Sequence, residues 1–143
     1  MIFGLYLLTP ALRVVVAHVD RSVFSFFIVL ALTLNFGFFL GELDNPLHHN
    51  VYELFAVIVV NLIATVLKFG ERTQMGAVLL ATSLVADLEL VAAALVWTFA
   101  VHVNGTGVTP QIMGTIISLA GGALVANIVS VVLLVIEITV QRR

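Results

Sequence analysis

The stretch Ala77-Val78-Leu79-Leu80-Ala81-Thr82-Ser83-Leu84-Val85-Ala86-Asp87-Leu88-Glu89-Leu90-Val91-Ala92-Ala93-Ala94-Leu95-Val96-Trp97-Thr98-Phe99-Ala100-Val101 decides how this chain is read. It is long and apolar enough to cross a bilayer, which takes about 20 residues in a helix. Two carboxylates nevertheless sit near its centre. Each acid costs about 2.5–3.5 kcal/mol at the middle of a membrane helix, and each Leu, Val or Phe returns about 0.3–0.6. Gly76 to His102 holds about a dozen such apolar residues, so the two effects roughly cancel. The segment is expected to insert with its acids turned away from lipid, toward protein, water or an ion. Ionisable groups held that way are the first functional candidates in a membrane protein.

The rest of the chain fits a membrane setting. Of 143 residues, 62% are hydrophobic and only 10% are charged, with the charges gathered between apolar runs. That composition implies an integral membrane protein with one compact helical unit and no separate soluble domain. A net charge of -2 gives no reason to expect a nucleic-acid partner. With no cysteine, thiol chemistry and cysteine-ligated metals are excluded. Met1 to Tyr6 lacks a basic n-region and no A-x-A site follows, so no signal peptide is expected.

Residues 2–19 are apolar but interrupted. Thr9-Pro10 resembles an N-cap with a first-turn proline, starting a helix through Ala17. Arg13, His18, Asp20 and Arg21 make the segment too charged for an easy span, so it is expected to lie on the membrane as an interfacial helix. The alternative is a fifth span beginning at Ile2. Spans are expected at about 23–40, 51–69, 76–102 and 111–140. The expected fold is therefore all-α, an integral membrane four-helix bundle with an N-terminal interfacial helix. Its six basic residues, Arg13, Arg21, Lys68, Arg72, Arg142 and Arg143, fall before the first span, between the second and third, and after the fourth. The positive-inside rule then places both termini in the cytoplasm.

Polar residues recur inside the spans. Asn35, Asn61, Asp87, Glu89 and Asn127 fall near the midplane or within about two turns of it. Asn61, Thr65 and Lys68 share one helix face. Oxygen and amide groups suit hard cations or protons, so these five residues are the expected ion pathway. Interhelical hydrogen bonding is the simpler role for the asparagines. Asp87 and Glu89 are about 200° apart around a helix, so one is expected to face the bundle and the other a neighbouring subunit. Ser83 and Thr98 fall close to the Asp87 face, which favours Asp87 as the pore residue.

Two further groups stand out. The loop from Gly41 to Asn50 gathers Glu42, Asp44, His48 and His49, with Glu53 just beyond. It is expected to be a solvated outer mouth that concentrates cations, with weak zinc-binding potential because adjacent histidines are poorly spaced as ligands. In the last span Gly114, Ser118, Gly122, Ala126 and Ser130 recur every four residues, and Gly121 broadens the stripe. Such small-residue ladders let helices pack closely.

The runs Leu30-Ala31-Leu32-Thr33-Leu34-Asn35-Phe36-Gly37-Phe38-Phe39, Asp44-Asn45-Pro46, His48-His49-Asn50-Val51-Tyr52-Glu53-Leu54-Phe55, Leu67-Lys68-Phe69-Gly70-Glu71-Arg72-Thr73-Gln74 and Ser83-Leu84-Val85-Ala86-Asp87-Leu88 resemble an uncharacterised family of short bacterial multi-span inner-membrane proteins. The resemblance covers about Asp20 to His102. It implies a bacterial inner membrane and a compact helical unit, and carries no mechanism.

Three functions follow as expectations. The first is a homo-oligomeric cation channel or carrier subunit, with an inorganic cation and the lipid bilayer as partners and no cofactor. The second is an accessory subunit docked into a larger membrane complex. The third is an intramembrane metalloenzyme using Glu53 and the histidines. Nothing in the sequence suggests nucleophilic catalysis.

Overall fold

The computed structural model describes residues 9–41, 45–69 and 73–141, except the side chains of residue 14 and residues 16–20. Four helices carry the fold: α1 over Pro10–Phe39, α2 over Val51–Lys68, α3 over Gln74–Thr98 and α4 over Pro110–Gln141. A short 3-10 turn, Pro46–His48, precedes α2, and a π-helical turn, Phe99–Val103, extends α3. Each helix contains a segment long and apolar enough to cross a membrane, so this is a multi-pass membrane protein.

Local chemistry sets the boundaries. Pro10 opens α1 at the first turn, where a missing N–H costs nothing. Asn50 caps α2 by accepting from the Tyr52 N–H at 2.8 Å, and Thr73 caps α3 by accepting from the Gly76 N–H at 3.0 Å. Asn45 folds the turn before α2, its side chain accepting from the Leu47 N–H at 3.0 Å. At the far end of α3 the ladder lengthens: the Asn104 N–H donates to the Phe99 carbonyl at 2.8 Å, five residues back.

One boundary differs from expectation. No break separates an interfacial helix ending at Ala17 from a span starting at Val23. Residues 10–39 form a single helix, while residues 2–8 lie outside the described residues. The charges at Arg13, His18, Asp20 and Arg21 affect where a helix sits relative to lipid, not whether it continues. No proline or glycine interrupts Ala11 to Phe36.

The helices alternate in direction. Glu89 of α3 packs against Gly122 of α4 while Thr82 meets Ser130, so these two run antiparallel. Lys68 lies over the Phe24 ring and His49 beside Phe38, so α1 and α2 do likewise. Phe39 against Gly121 closes the ring between α1 and α4. The bundle is thus up-down-up-down, with α1 and α3 each touching α2 and α4.

Its interior interleaves alanines with large apolar side chains, and many further large apolar side chains face out. Ala31, Ala64, Ala86, Ala93, Ala120 and Ala123 are fully buried, while Phe26, Phe55, Val66, Leu88, Val125 and Val132 are exposed. In water that pattern would leave a large sticky surface; in lipid it is solvated, and close backbone approach supplies the packing.

Candidate functional site

Two apolar clusters fill the bundle. One contains Phe38, Leu54, Val57, Leu90, Met113 and Ile117, and the other Phe24, Ile28, Ala64 and Leu134. Along α1, α2 and α4 a polar position falls between members of the two: Asn35, Asn61 and Asn127. From α3 come Ser83 and Asp87, both buried. Every helix therefore contributes a buried polar side chain to the middle of the bundle.

Asp87 is the centre of this layer. It is 7% exposed, whereas its neighbour Leu88 is 70% exposed, so the helix turns its acid inward and its leucine to lipid. The Thr65 hydroxyl on α2 lies 2.5 Å from Asp87 Oδ2 and 2.9 Å from the Asn61 carbonyl. A hydroxyl has one proton and cannot serve both acceptors at once. The Asn61 amide donates to the Val57 carbonyl at 2.9 Å, leaving its own Oδ1 without a partner. Asp87 Oδ1, Ser83 Oγ and both polar atoms of Asn127 are also buried and unpaired. Such groups are rare in folded proteins, each costing about 1–3 kcal/mol unless a water, an ion or a ligand pairs it.

The other expected residues divide. Asn35 belongs to the packing. In the amide orientation that satisfies both of its atoms, it donates to the Ala120 carbonyl at 3.3 Å and accepts from the Leu124 N–H at 2.9 Å. Glu89 points away from Asp87. Its carboxylate lies against Gly122, where a Cβ would collide with it, and its Oε2 is buried without a partner. Glu89 lines a separate cleft of about 550 Å³ between α3 and α4. Thr98 does not extend the Asp87 stripe: it is exposed and donates to the Ala94 carbonyl at 2.8 Å.

The small-residue ladder also splits. Gly122, Ala126 and Ser130 face α3, with Ser130 and Thr82 hydroxyls 2.6 Å apart. Ser118 is exposed, and a Cβ on Gly114 would meet nothing within 4 Å. The cause is geometric. Positions four apart drift about 40° per step around a helix, so a long ladder cannot face one neighbour throughout.

In the loop, Glu42 and Asp44 lie outside the described residues, and Glu53 is exposed on the first turn of α2. His49 corrects the expectation of a solvated pair. It is 4% exposed, and its Nδ1 lies 2.7 Å from the Phe38 carbonyl. A carbonyl only accepts, so Nδ1 carries the proton. His48 is exposed. Among the described residues no three His, Asp or Glu come close enough to hold a metal ion.

Thr65 and Ser83 complete the layer beyond the five residues expected to line the pathway. Their signal in the sequence was helical spacing: Thr65 is four residues from Asn61, and Ser83 four from Asp87.

Comparison with known proteins adds one match. No curated protein and no solved structure matches the chain. A family model described as a family of unknown function, DUF6394, matches residues 48–138. It takes in α2, α3 and nearly all of α4, so it includes the last helix and leaves out the first part of the resemblance read from the sequence. With well over half of its length matched, the chain belongs to the DUF6394 family of unknown function.

Proposed function

We propose that the protein is a subunit of a homo-oligomeric cation channel or carrier in a bacterial inner membrane, with Asp87 as its ion-binding group. The observation that carries this reading is that the helices bring buried, unpaired oxygens to the middle of the bundle: Asp87 Oδ1, Asn61 Oδ1, Ser83 Oγ and Asn127 Oδ1. They are hard donors in a low-dielectric interior, which is what a dehydrated Na⁺, K⁺ or divalent cation, or a proton, requires. Asn35 docks α1 on α4 in this reading. Glu42, Asp44 and Glu53 attract cations to the outer face. The open strip at Gly114 and Ser118 supports contact with a second copy. The basic residues put both termini in the cytoplasm.

The test is cation flux into liposomes carrying the purified protein, measured for several cations. Asp87→Asn keeps the side-chain shape and removes the charge. Flux by the parent that falls at least tenfold, or changes selectivity, in a correctly inserted Asp87→Asn variant is the expected result. No flux by the parent, or equal flux by the variant, overturns the reading and leaves the chain an accessory subunit whose polar residues dock helices.

A further inference from the structure

The cleft between α3 and α4 is separate from the Asp87 layer and has a different chemistry. Its lining is almost wholly apolar, including Val78, Ala81, Val85, Val125 and Val129, and among the described residues Glu89 is the only charged one in it. Gln74 marks one end, at the first turn of α3. Glu89 lies 15 residues further, about 22 Å along the helix, near mid-depth in the span. An ionisable group so placed, lining the cleft with one carboxylate oxygen buried and unpaired, is a candidate for ligand binding.

We propose that this cleft binds a lipophilic cation: an onium ion whose positive charge is enclosed by alkyl or aromatic groups. The inference does not depend on the role proposed for Asp87. Four alternatives fit less well. An inorganic cation needs about six oxygen ligands. The cleft offers one carboxylate, plus a Thr82 hydroxyl already donating to the Leu79 carbonyl at 2.9 Å and bonded to Ser130. An anion is repelled by Glu89. A lipid tail or other neutral apolar body leaves the carboxylate unpaired in apolar surroundings, at a cost its contacts do not offset. A second copy of the chain brings no cation to that depth, because all six basic residues lie at or beyond the ends of the four spans. A lipophilic cation satisfies both halves of the site. Its substituents cover the valines and alanines, and its charge, which needs no hydrogen bonds, pairs with Glu89. A volume of about 550 Å³ is ordinary for a small-molecule site of this kind.

The test uses the full chain in detergent, with tetraphenylphosphonium as probe and tetraphenylborate as its anionic counterpart of matching shape. Equilibrium dialysis is expected to show saturable binding of tetraphenylphosphonium and none of tetraphenylborate. Glu89→Gln should weaken phosphonium binding at least tenfold while size and helicity stay those of the parent, and Glu89→Asp should retain most of it. Val125→Trp keeps the acid and fills the cleft, and should also abolish binding. Absence of binding by the parent, equal binding of the borate, or full affinity in Glu89→Gln or Val125→Trp overturns the proposal.

Discussion

Thr65 on α2 holds Asp87 on α3 across the bundle, hydroxyl to carboxyl oxygen, at 2.5 Å. Among the described residues it is the one side-chain hydrogen bond to Asp87, whose other oxygen is buried and unpaired. Thr65→Val, close to isosteric, therefore leaves the carboxyl without that partner. Hydrogen bonds between membrane helices average about 0.6 kcal/mol, with a maximum near 1.7. The upper end applies here because removal strands a buried ionisable group. We expect Thr65→Val to cost about 1–2 kcal/mol and Thr65→Ser well under half of that. Reversible unfolding in mixed micelles would measure both. Equal stability of parent and Thr65→Val would mean that the contact contributes nothing.

The two ends of the α4 ladder should respond differently to the same substitution. Gly122→Leu drives a large side chain into the Glu89 carboxylate and should cost about 1–3 kcal/mol by overpacking. At Gly114 the added atoms enter open space, so Gly114→Leu should leave the unfolding midpoint of the protomer almost unchanged. If the open strip joins copies, Gly114→Leu should instead reduce the size of the assembly in light scattering. Equal destabilisation by the two substitutions would contradict the split of the ladder.

His49 links the loop before α2 to the last turn of α1. The Phe38 carbonyl is among the last four of α1, which lack partners within the helix, and the His49 Nδ1–H supplies one. His49→Phe preserves a buried ring but removes the donor. We expect a loss of about 1–3 kcal/mol, the cost of a stranded carbonyl. His49→Asn, with a donor of similar reach, should recover part of it. Unchanged thermal stability in His49→Phe would show that the bond is dispensable.

These tests also mark what could be read from the sequence. The four spans were legible because apolar runs of the right length leave few other options in a chain this poor in charge. So was the inward face of α2, where Asn61, Thr65 and Lys68 repeat at helical spacing and all prove buried. The assignment of Asp87 and Glu89 was only half legible. A separation of two residues puts them on different faces, but which one meets the interior depends on where α2 and α4 lie against α3. The continuity of α1 was obscured because charge governs membrane depth while backbone hydrogen bonding governs helix length. His49 was obscured because a 3-10 turn, not a regular period, decides that it is buried and His48 is not.

Orientation gives the last prediction. Antiparallel packing places the start of α1, the end of α2, the start of α3 and the end of α4 at one end of the bundle, and all the basic residues flank those ends. The opposite end, formed by the turn at Pro46–His48 and the loop after Val103, has none. Lys and Arg resist translocation, so the basic end should be cytoplasmic. The chain has no cysteine, so single substitutions give clean labelling sites. Leu47, Gln74 and Asn104 are exposed, one in each connection or at its edge. In intact cells a membrane-impermeant maleimide should label Leu47→Cys and Asn104→Cys and spare Gln74→Cys until the membrane is opened. Labelling of Gln74→Cys from outside would invert the topology. Labelling of only one of Leu47→Cys and Asn104→Cys would be incompatible with four antiparallel spans.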